Sequence, residues 1–147
     1  NRVEEGGSVG YWEREIEPHL GRDGIEYVGP VNDVEKNELL GKAAALILPI
    51  EWDEPFGSVF VEALACGTPV IATPRGAVPV IVEDGIHGFH VASVLEGVEA
   101  VRRLPEIDRR DCRNRVDASY SVGVVAGRYL ELYERLINRR GDCEKHV

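Results

Sequence analysis

Two short apolar runs, with one apolar segment between them, constrain the fold of this chain more than any other feature. Residues 44–49 read Ala-Ala-Leu-Ile-Leu-Pro, and residues 69–72 read Pro-Val-Ile-Ala. Each run has the length and continuous apolar character of a strand covered on both faces. Between them, residues 57–65 are apolar on nearly every side, which predicts a buried helix with Gly67 at its end.

Further elements extend this β-α-β pattern along the chain. We predict strands at residues 25–28 and 88–91, and a helix over residues 34–42 that Asp33 caps. Other predicted helices are at residues 11–20, from Ser93 with Glu96 as a capping box to Arg103, from Asp108, and over about residues 122–140. The last of these helices has an apolar stripe that favours core packing, with a partly exposed stripe as the alternative: Val122, Val125, Ala126, Tyr129, Tyr133, Leu136 and Ile137. The order of elements predicts an α/β fold, a parallel sheet flanked by helices.

Composition narrows the class of protein. The 147 residues fit one domain, and 17 basic against 26 acidic residues give a net charge of −9, which argues against a nucleic-acid partner. Three cysteines without C-x-x-C spacing speak against a disulfide framework or zinc ribbon and favour a cytoplasmic location. The sequence contains no run of about 18 apolar residues, so we predict no transmembrane segment. His87 and His90 have no third ligand near them in the sequence, so we predict no metal site.

Three loops are expected at the carboxyl edge of the sheet, where ligands bind in open α/β folds. They cover residues 29–32, 51–56 and 73–76, and each contains glycine or proline. For any one loop, the simpler interpretation is that these residues only end a strand. Trp52 is open to two interpretations, as a lining of an acceptor cleft together with Asp53 or as a packed loop residue.

The middle loop carries the most chemical information. Gly57 and Ser58 lie in the first predicted turn of the helix, where backbone N–H groups and the helix dipole favour a diphosphate, and Gly57 has no side chain to obstruct it. Glu62 is four residues after Ser58 on the same face, and its side chain leans toward the helix start. A carboxylate suits the two donors of a ribose diol, and Glu54 would hold sugar hydroxyls at the other end of the ligand. Each acid alone is more often simply solvated; the combination favours a site.

Residues 54–72, E-P-F-G-S-V-F-V-E-A-L-A-C-G-T-P-V-I-A, resemble the E-x7-E signature of retaining glycosyltransferases with the GT-B fold, family 4 in particular. Residues 75–79 and 82–89 continue the resemblance, and residues 25–31 extend it upstream. The implied fold is Rossmann-like, the C-terminal half of a GT-B enzyme without its first strand-helix portion. Residues 1–147 would then form a single partial nucleotide-sugar-binding domain.

The resemblance also implies a role for each matching position. Glu54 would be the catalytic residue on the donor sugar, and Glu62 would hold the ribose. The remaining donor contacts would be Phe56, Gly57, Ser58 and Val59 at the sugar and diphosphate, and Gly29, Pro30 and Val31 at the base. Such enzymes use a nucleotide diphosphate sugar as substrate, without a metal or other cofactor.

The sequence departs from the family pattern at Ser58, where leucine is common, and at Ala77 and Val80 in the following loop. The family's Arg/Lys pair on the diphosphate and its acceptor-binding domain would lie upstream of Asn1. We therefore expect this chain alone to be inactive, with its own N-terminal domain and an unidentified acceptor as partners, and with any membrane contact made through that domain. Two alternatives are a non-catalytic nucleotide-sugar-binding module and a GT-B nucleotide-sugar epimerase.

Overall fold

The computed structural model describes residues 9–22 and 24–143, with side chains at 10–22 and 24–138. The chain groups into two compact units, residues 1–36 and residues 37–147. Each unit is described by itself. None of the described helices has the length and apolar character needed to cross a membrane.

The N-terminal unit begins with a short irregular helical segment. It consists of α1 (Val9–Tyr11), a π-helical turn (Trp12–Ile16) and a 3-10 turn (Glu17–His19), where we predicted one helix over residues 11–20. Pro18 lies at the start of the 3-10 turn, where its missing N–H interrupts the α-helical pattern.

The predicted strand at residues 25–28 is wrong. These residues are irregular, and the side chains of Ile25, Tyr27 and Val28 are exposed. A strand needs a hydrogen-bonded neighbour, and among the described residues of this unit no second strand is present. Tyr27 instead packs edge-to-face on Trp12, with ring centroids 4.9 Å apart.

Helix α2 (Asp33–Lys42) is present, but its cap differs from the prediction. The Oδ1 atom of Asn32 accepts hydrogen bonds from the backbone N–H groups of Val34 and Glu35, at 2.9 and 3.0 Å. The Glu35 carboxylate in turn accepts from the Asn32 N–H at 2.9 Å. Asn32 therefore caps α2 through a reciprocal capping box, and Asp33 is already the first helical residue.

The C-terminal unit contains the predicted parallel sheet. Strands β1 (Leu46–Leu48), β2 (Val70–Ala72) and β3 (Gly88–His90) lie in that order, with Leu46 opposite Val70 and Val70 opposite Gly88. The flanking helices are α3 (Ser58–Ala65), α4 (Val78–Ile81), α5 (Val94–Arg103), α6 (Arg109–Ser119) and α7 (Val122–Cys143), with a 3-10 turn at Leu104–Glu106. The α/β fold, a parallel sheet flanked by helices, is confirmed.

The core of this unit lies around β2 and α3. Phe60 and Leu64 of α3 and all three residues of β2 are fully buried, as expected for apolar segments covered on both sides. The same expectation is wrong for β1, because Ile47 is 54% exposed and Leu46 and Leu48 are only half-buried, so one face of this strand is open. Thr68, also fully buried, donates from Oγ1 to the Leu40 carbonyl at 2.6 Å and accepts from Arg109 Nη2 at 3.0 Å. The polar groups of this connection are thereby satisfied inside the core.

The prediction that the apolar stripe of α7 packs in the core is wrong. Val125 is half-buried, and the other predicted stripe residues are exposed: Val122, Ala126, Tyr129, Tyr133, Leu136 and Ile137. Helical spacing predicts that an apolar face exists but not what covers it. In the described residues, α7 packs against α6 near its N-terminal end and extends beyond it.

Candidate functional site

The loop before α3 makes hydrogen bonds with backbone groups at the start of this helix. Gly57 precedes the helix with φ +70°, and its N–H donates to Glu54 Oε1 at 3.1 Å, while Phe60 N–H donates to the Gly57 carbonyl at 3.0 Å. A Cβ at position 57 would lie 2.5 Å from the Phe60 ring and 3.0 Å from Glu54 Cγ. The packing of the loop itself therefore requires glycine at this position.

This geometry changes which N–H groups a ligand meets. The first turn of a helix has backbone N–H groups without intrahelical acceptors. The Gly57 N–H donates to the Glu54 carboxylate, and the Phe60 N–H donates to the Gly57 carbonyl. These two bonds do not involve the N–H groups of Ser58 and Val59, which are therefore the groups that a ligand would meet. The Val59 side chain packs against the core, and only its backbone belongs to the helix start.

The other oxygen of Glu54 has a partner on the opposite side. Trp52 Nε1–H donates to Glu54 Oε2 at 2.9 Å, and Phe56 N–H adds a long contact of 3.5 Å to Oε1. The half-buried carboxylate is thus held from both sides by N–H donors of its own loop. Each carboxylate oxygen has about two acceptor positions, so Oε1 is used by Gly57 and Phe56, and Oε2 keeps capacity for one further donor.

The loop after β2 fixes the backbone under Glu54. Ala77 N–H donates to the Glu54 carbonyl at 2.8 Å, and Arg75 Nη1 donates to the Glu51 carbonyl at 2.9 Å. Gly76 has φ +55°, and a Cβ there would overlap the Glu54 carbonyl oxygen and lie 2.5 Å from Glu54 N. Sequence reasoning missed this role of Gly76, although the Arg-Gly pair at the end of a strand was a signal for a close backbone approach.

Two adjoining cavities open at this end of α3. The first, the Glu54 pocket, has a volume of about 520 Å³ and is lined by Asp53, Glu54, Pro55, Phe56, Gly76, Ala77, Val80, Ile81 and Tyr120. The second, the α3–α7 groove, has a volume of about 630 Å³ and is lined by Phe56, Ser58, Val61, Glu62, Ser119, Tyr120, Val125, Arg128, Tyr129 and Leu132. Both volumes are in the range of small-molecule sites.

Glu54 and Glu62 therefore belong to different cavities that share one wall. Phe56 and Tyr120 line both, with their ring centroids 6.3 Å apart and their planes at 69°. The predicted site residues Glu54, Phe56, Ser58 and Glu62 are brought together at the start of α3. The acids lie on either side of an aromatic pair, an arrangement suited to a ligand with two polar ends.

Two lining residues of the groove were missed from the sequence. Arg128 of α7 lies with Glu62 in the α3–α7 groove, and its Nη1 donates to the Ser119 carbonyl at 3.1 Å. Tyr120 separates α6 from α7, and its ring faces both cavities. An arginine among the apolar residues at the start of α7 was the available signal, but the sequence did not indicate which cavity that stripe borders.

The third predicted group of site residues lies in the N-terminal unit. Gly29 has φ +70° and is half-buried, whereas Pro30 and Val31 are exposed. Their predicted contact with a nucleotide base stays a prediction.

The two histidines near β3 serve the fold. His87 is buried and its Nδ1 accepts from Glu83 N–H at 3.1 Å, while His90 Nε2 lies 2.9 Å from the Val82 carbonyl oxygen. Burial, with the nearby Arg115 charge, lowers the pKa of His87 below its usual 6.5. In the part of the chain that is described, no group of three or more potential ligand side chains is arranged for a metal ion.

Comparison with known proteins agrees with this architecture. The fold is that of a GT-B glycosyltransferase domain: the crystal structure of AviGT4, a glycosyltransferase involved in avilamycin A biosynthesis, superposes with a TM-score of 0.62 and 28% identity, over 74% of this chain and 35% of that one. Residues 5–115 match the family model described as glycosyl transferases group 1. The chain belongs to this family of glycosyltransferases.

Individual relatives carry transferase activities. A phosphatidyl-myo-inositol mannosyltransferase of Propionibacterium freudenreichii is 30% identical over 118 residues, which cover 76% of this chain and 31% of the relative. A D-inositol 3-phosphate glycosyltransferase of Mycobacterium tuberculosis H37Ra is 53% identical over 53 residues, 36% of this chain and 11% of the relative. The chain thus spans less than a third of the length of these relatives.

Proposed function

We propose that this chain is the donor-binding part of a retaining glycosyltransferase and that it binds a nucleotide diphosphate sugar at the start of α3. The observation that carries the proposal is the placement of Glu54 and Glu62 in two adjoining cavities on either side of that helix start. The sugar would occupy the Glu54 pocket and the ribose would bind Glu62. The finer membership in family 4 rests on the resemblance of residues 54–72.

The diphosphate would lie between these two ends. The N–H groups of Ser58 and Val59 and the positive end of the α3 dipole favour an anion there. Phe56 and Gly57 would act through the shape and the hydrogen bonds of the loop, and residues 29–31 would contact the base. Because helix-end N–H groups supply positive partial charge, we propose that the diphosphate needs no metal ion.

The proposed reaction transfers the sugar to an acceptor hydroxyl. The bond between the anomeric carbon and the diphosphate oxygen breaks, and its electron pair leaves with the diphosphate. The acceptor oxygen bonds to the same face of that carbon, and its proton goes to the departing diphosphate. The acceptor-binding part is proposed to lie in an N-terminal domain of the same protein, in the cytoplasm. The isolated chain would then bind donor but transfer nothing.

Isothermal titration calorimetry tests the binding proposal on the protein at its full natural length. The probes are GDP-mannose, UDP-glucose and ADP-glucose, with GDP-mannose first because one relative is a mannosyltransferase. Glu62→Gln should weaken binding of the accepted probe about tenfold or more, because it loses charged hydrogen bonds to the ribose. The matched control Glu99→Gln removes an exposed acid that pairs with Arg102 at 3.3 Å, and should leave binding unchanged.

The outcomes separate the competing functions. Unaltered binding by Glu62→Gln would overturn the ribose role, and binding of none of the probes would overturn the donor site. Product analysis by NMR should give a glycoside with the donor's anomeric configuration, at a rate that EDTA does not change. Conversion of the probe to an epimeric nucleotide sugar without acceptor would instead identify an epimerase, and binding without any turnover would identify a binding module.

A further inference from the structure

Trp52 makes a specific contact from an exposed position. Its side chain is 57% exposed, so burial in the core does not explain a tryptophan here. Its indole N–H nevertheless points back to the loop and donates to Glu54 Oε2 at 2.9 Å. Because an indole N–H only donates hydrogen bonds, this contact holds the Oε2 atom of Glu54 as its acceptor.

The other contacts of the loop fix its backbone and one oxygen of Glu54, but they do not fix the rotation of the Glu54 carboxylate. Arg75 and Ala77 fix the backbone of residues 51–54 through the carbonyls of Glu51 and Glu54. Gly57 N–H holds Glu54 Oε1 from the helix side. A carboxylate held at one oxygen still rotates about that contact, and the bond from Trp52 to Oε2 removes the rotation.

We propose that Trp52 is a positioning residue for the sugar end of the donor. By holding Oε2 while Gly57 holds Oε1, it aims the remaining acceptor position of Oε2 into the Glu54 pocket, where a hydroxyl group of a hexose would donate to it. This inference rests on the proposed function and deepens it, because it assigns to Trp52 the recognition of the sugar and not of the nucleotide. Preorganised acceptors bind more tightly because less ordering is needed on binding.

The test compares two ligands on the same protein. Trp52→Phe keeps an aromatic ring and removes the N–H. For the nucleotide sugar that the wild-type protein binds, for example GDP-mannose, we expect calorimetry to give a dissociation constant about tenfold higher in the variant, the effect of one lost hydrogen bond. For the matching diphosphate without sugar, here GDP, the change should be less than about twofold. A loss of folding would weaken both ligands alike, so the ratio of the two effects is the readout.

A double-mutant cycle tests whether Trp52 acts through Glu54. In the Glu54→Ala background, Trp52→Phe should change nucleotide-sugar affinity less than about twofold, because no carboxylate remains to be positioned. The same tenfold loss in that background would overturn the inference, as would an equal effect on sugar and sugar-free ligands or no effect on either. Each of these results leaves the proposed function standing, whereas failure of the wild-type protein to bind any nucleotide sugar removes both.

Discussion

The backbone N–H of Ala77 donates to the carbonyl oxygen of Glu54 at 2.8 Å, and this bond joins the loop after β2 to the loop before α3. Gly76 makes the close approach possible, because any larger residue would place a Cβ against the Glu54 backbone. The position of the acid on which the proposed sugar contact depends is therefore set by Gly76 and Ala77 in the loop after β2, 22 and 23 residues further along the chain.

Gly76→Ala should destabilise the protein and move Glu54. Gly85→Ala is the matched control, because Gly85 also has a positive φ, +75°, but nothing lies within 4 Å of its added Cβ. We expect Gly85→Ala to lower the free energy of unfolding by about 1 kcal/mol, from backbone strain alone. Gly76→Ala should cost about 2–4 kcal/mol, since the loops must also separate. Urea unfolding measures the free energy of unfolding of both variants. Equal losses would show that the close approach of Gly76 to the Glu54 backbone adds no stability.

Arg128→Met should weaken nucleotide diphosphate binding. Arg128 is a cation in the groove that contains Glu62, so its loss removes attraction for the diphosphate. We expect GDP or UDP to bind about fivefold more weakly, as for one unit charge about 8 Å away at a dielectric constant of about 40. The control Arg102→Met removes an exposed charge on α5 and should change affinity little. Unchanged affinity in Arg128→Met, measured by calorimetry at low salt, would mean that the diphosphate lies outside this groove.

Thr68→Val should destabilise the C-terminal unit strongly. The substitution keeps the shape but leaves the Leu40 carbonyl and the Arg109 guanidinium without their bond to Thr68 Oγ1. The Leu40 carbonyl still accepts from Ala43 N–H, and Arg109 still donates to the Gly41 and Ala43 carbonyls, so the loss of the two buried bonds should cost about 1–3 kcal/mol of unfolding free energy. Thr73→Val, at a half-buried position just after β2, is the control and should change the free energy of unfolding by less than about 0.5 kcal/mol. A loss for Thr68→Val as small as the control's would show that the network adds no stability.

His87 should make stability depend on pH in the acid range. Burial and Arg115 lower its pKa in the folded protein, while Glu83 and Asp111 oppose them, so the unfolded chain binds a proton more readily. The stability from neutral His87 is fully present above the unfolded pKa of about 6.5 and is lost as the pH falls through the folded pKa.

His87→Asn tests this assignment, because the asparagine Oδ1 retains an acceptor for the Glu83 N–H but does not titrate. Urea unfolding at pH 8, 7, 6 and 5 should show the wild-type protein losing stability below pH 6.5 relative to the variant, by at most about 1.4 kcal/mol per pH unit. Parallel pH profiles for the two proteins would assign the pH dependence to other groups.

Whether a prediction from sequence succeeded depended mainly on how far apart along the chain the interacting residues lie. The capping of α5 by Ser93, which accepts from Glu96 N–H at 3.2 Å, depends on residues within one turn and was predicted correctly. The predicted strand at residues 25–28 failed because a strand depends on a distant partner. The cap of α2 moved by one residue, from Asp33 to Asn32, because neighbouring residues of similar capping preference compete.

By itself, the sequence determined the parallel α/β sheet, the helix between β1 and β2, and the placement of Ser58 and Glu62 on one helix face. Those features follow from apolar periodicity and helix geometry, which are local along the chain. Only the tertiary structure decided that Gly76 fits against Glu54, that Arg128 reaches the groove of Glu62, and that the apolar face of α7 stays exposed. These depend on contacts between segments far apart in sequence, which packing selects and no local pattern encodes.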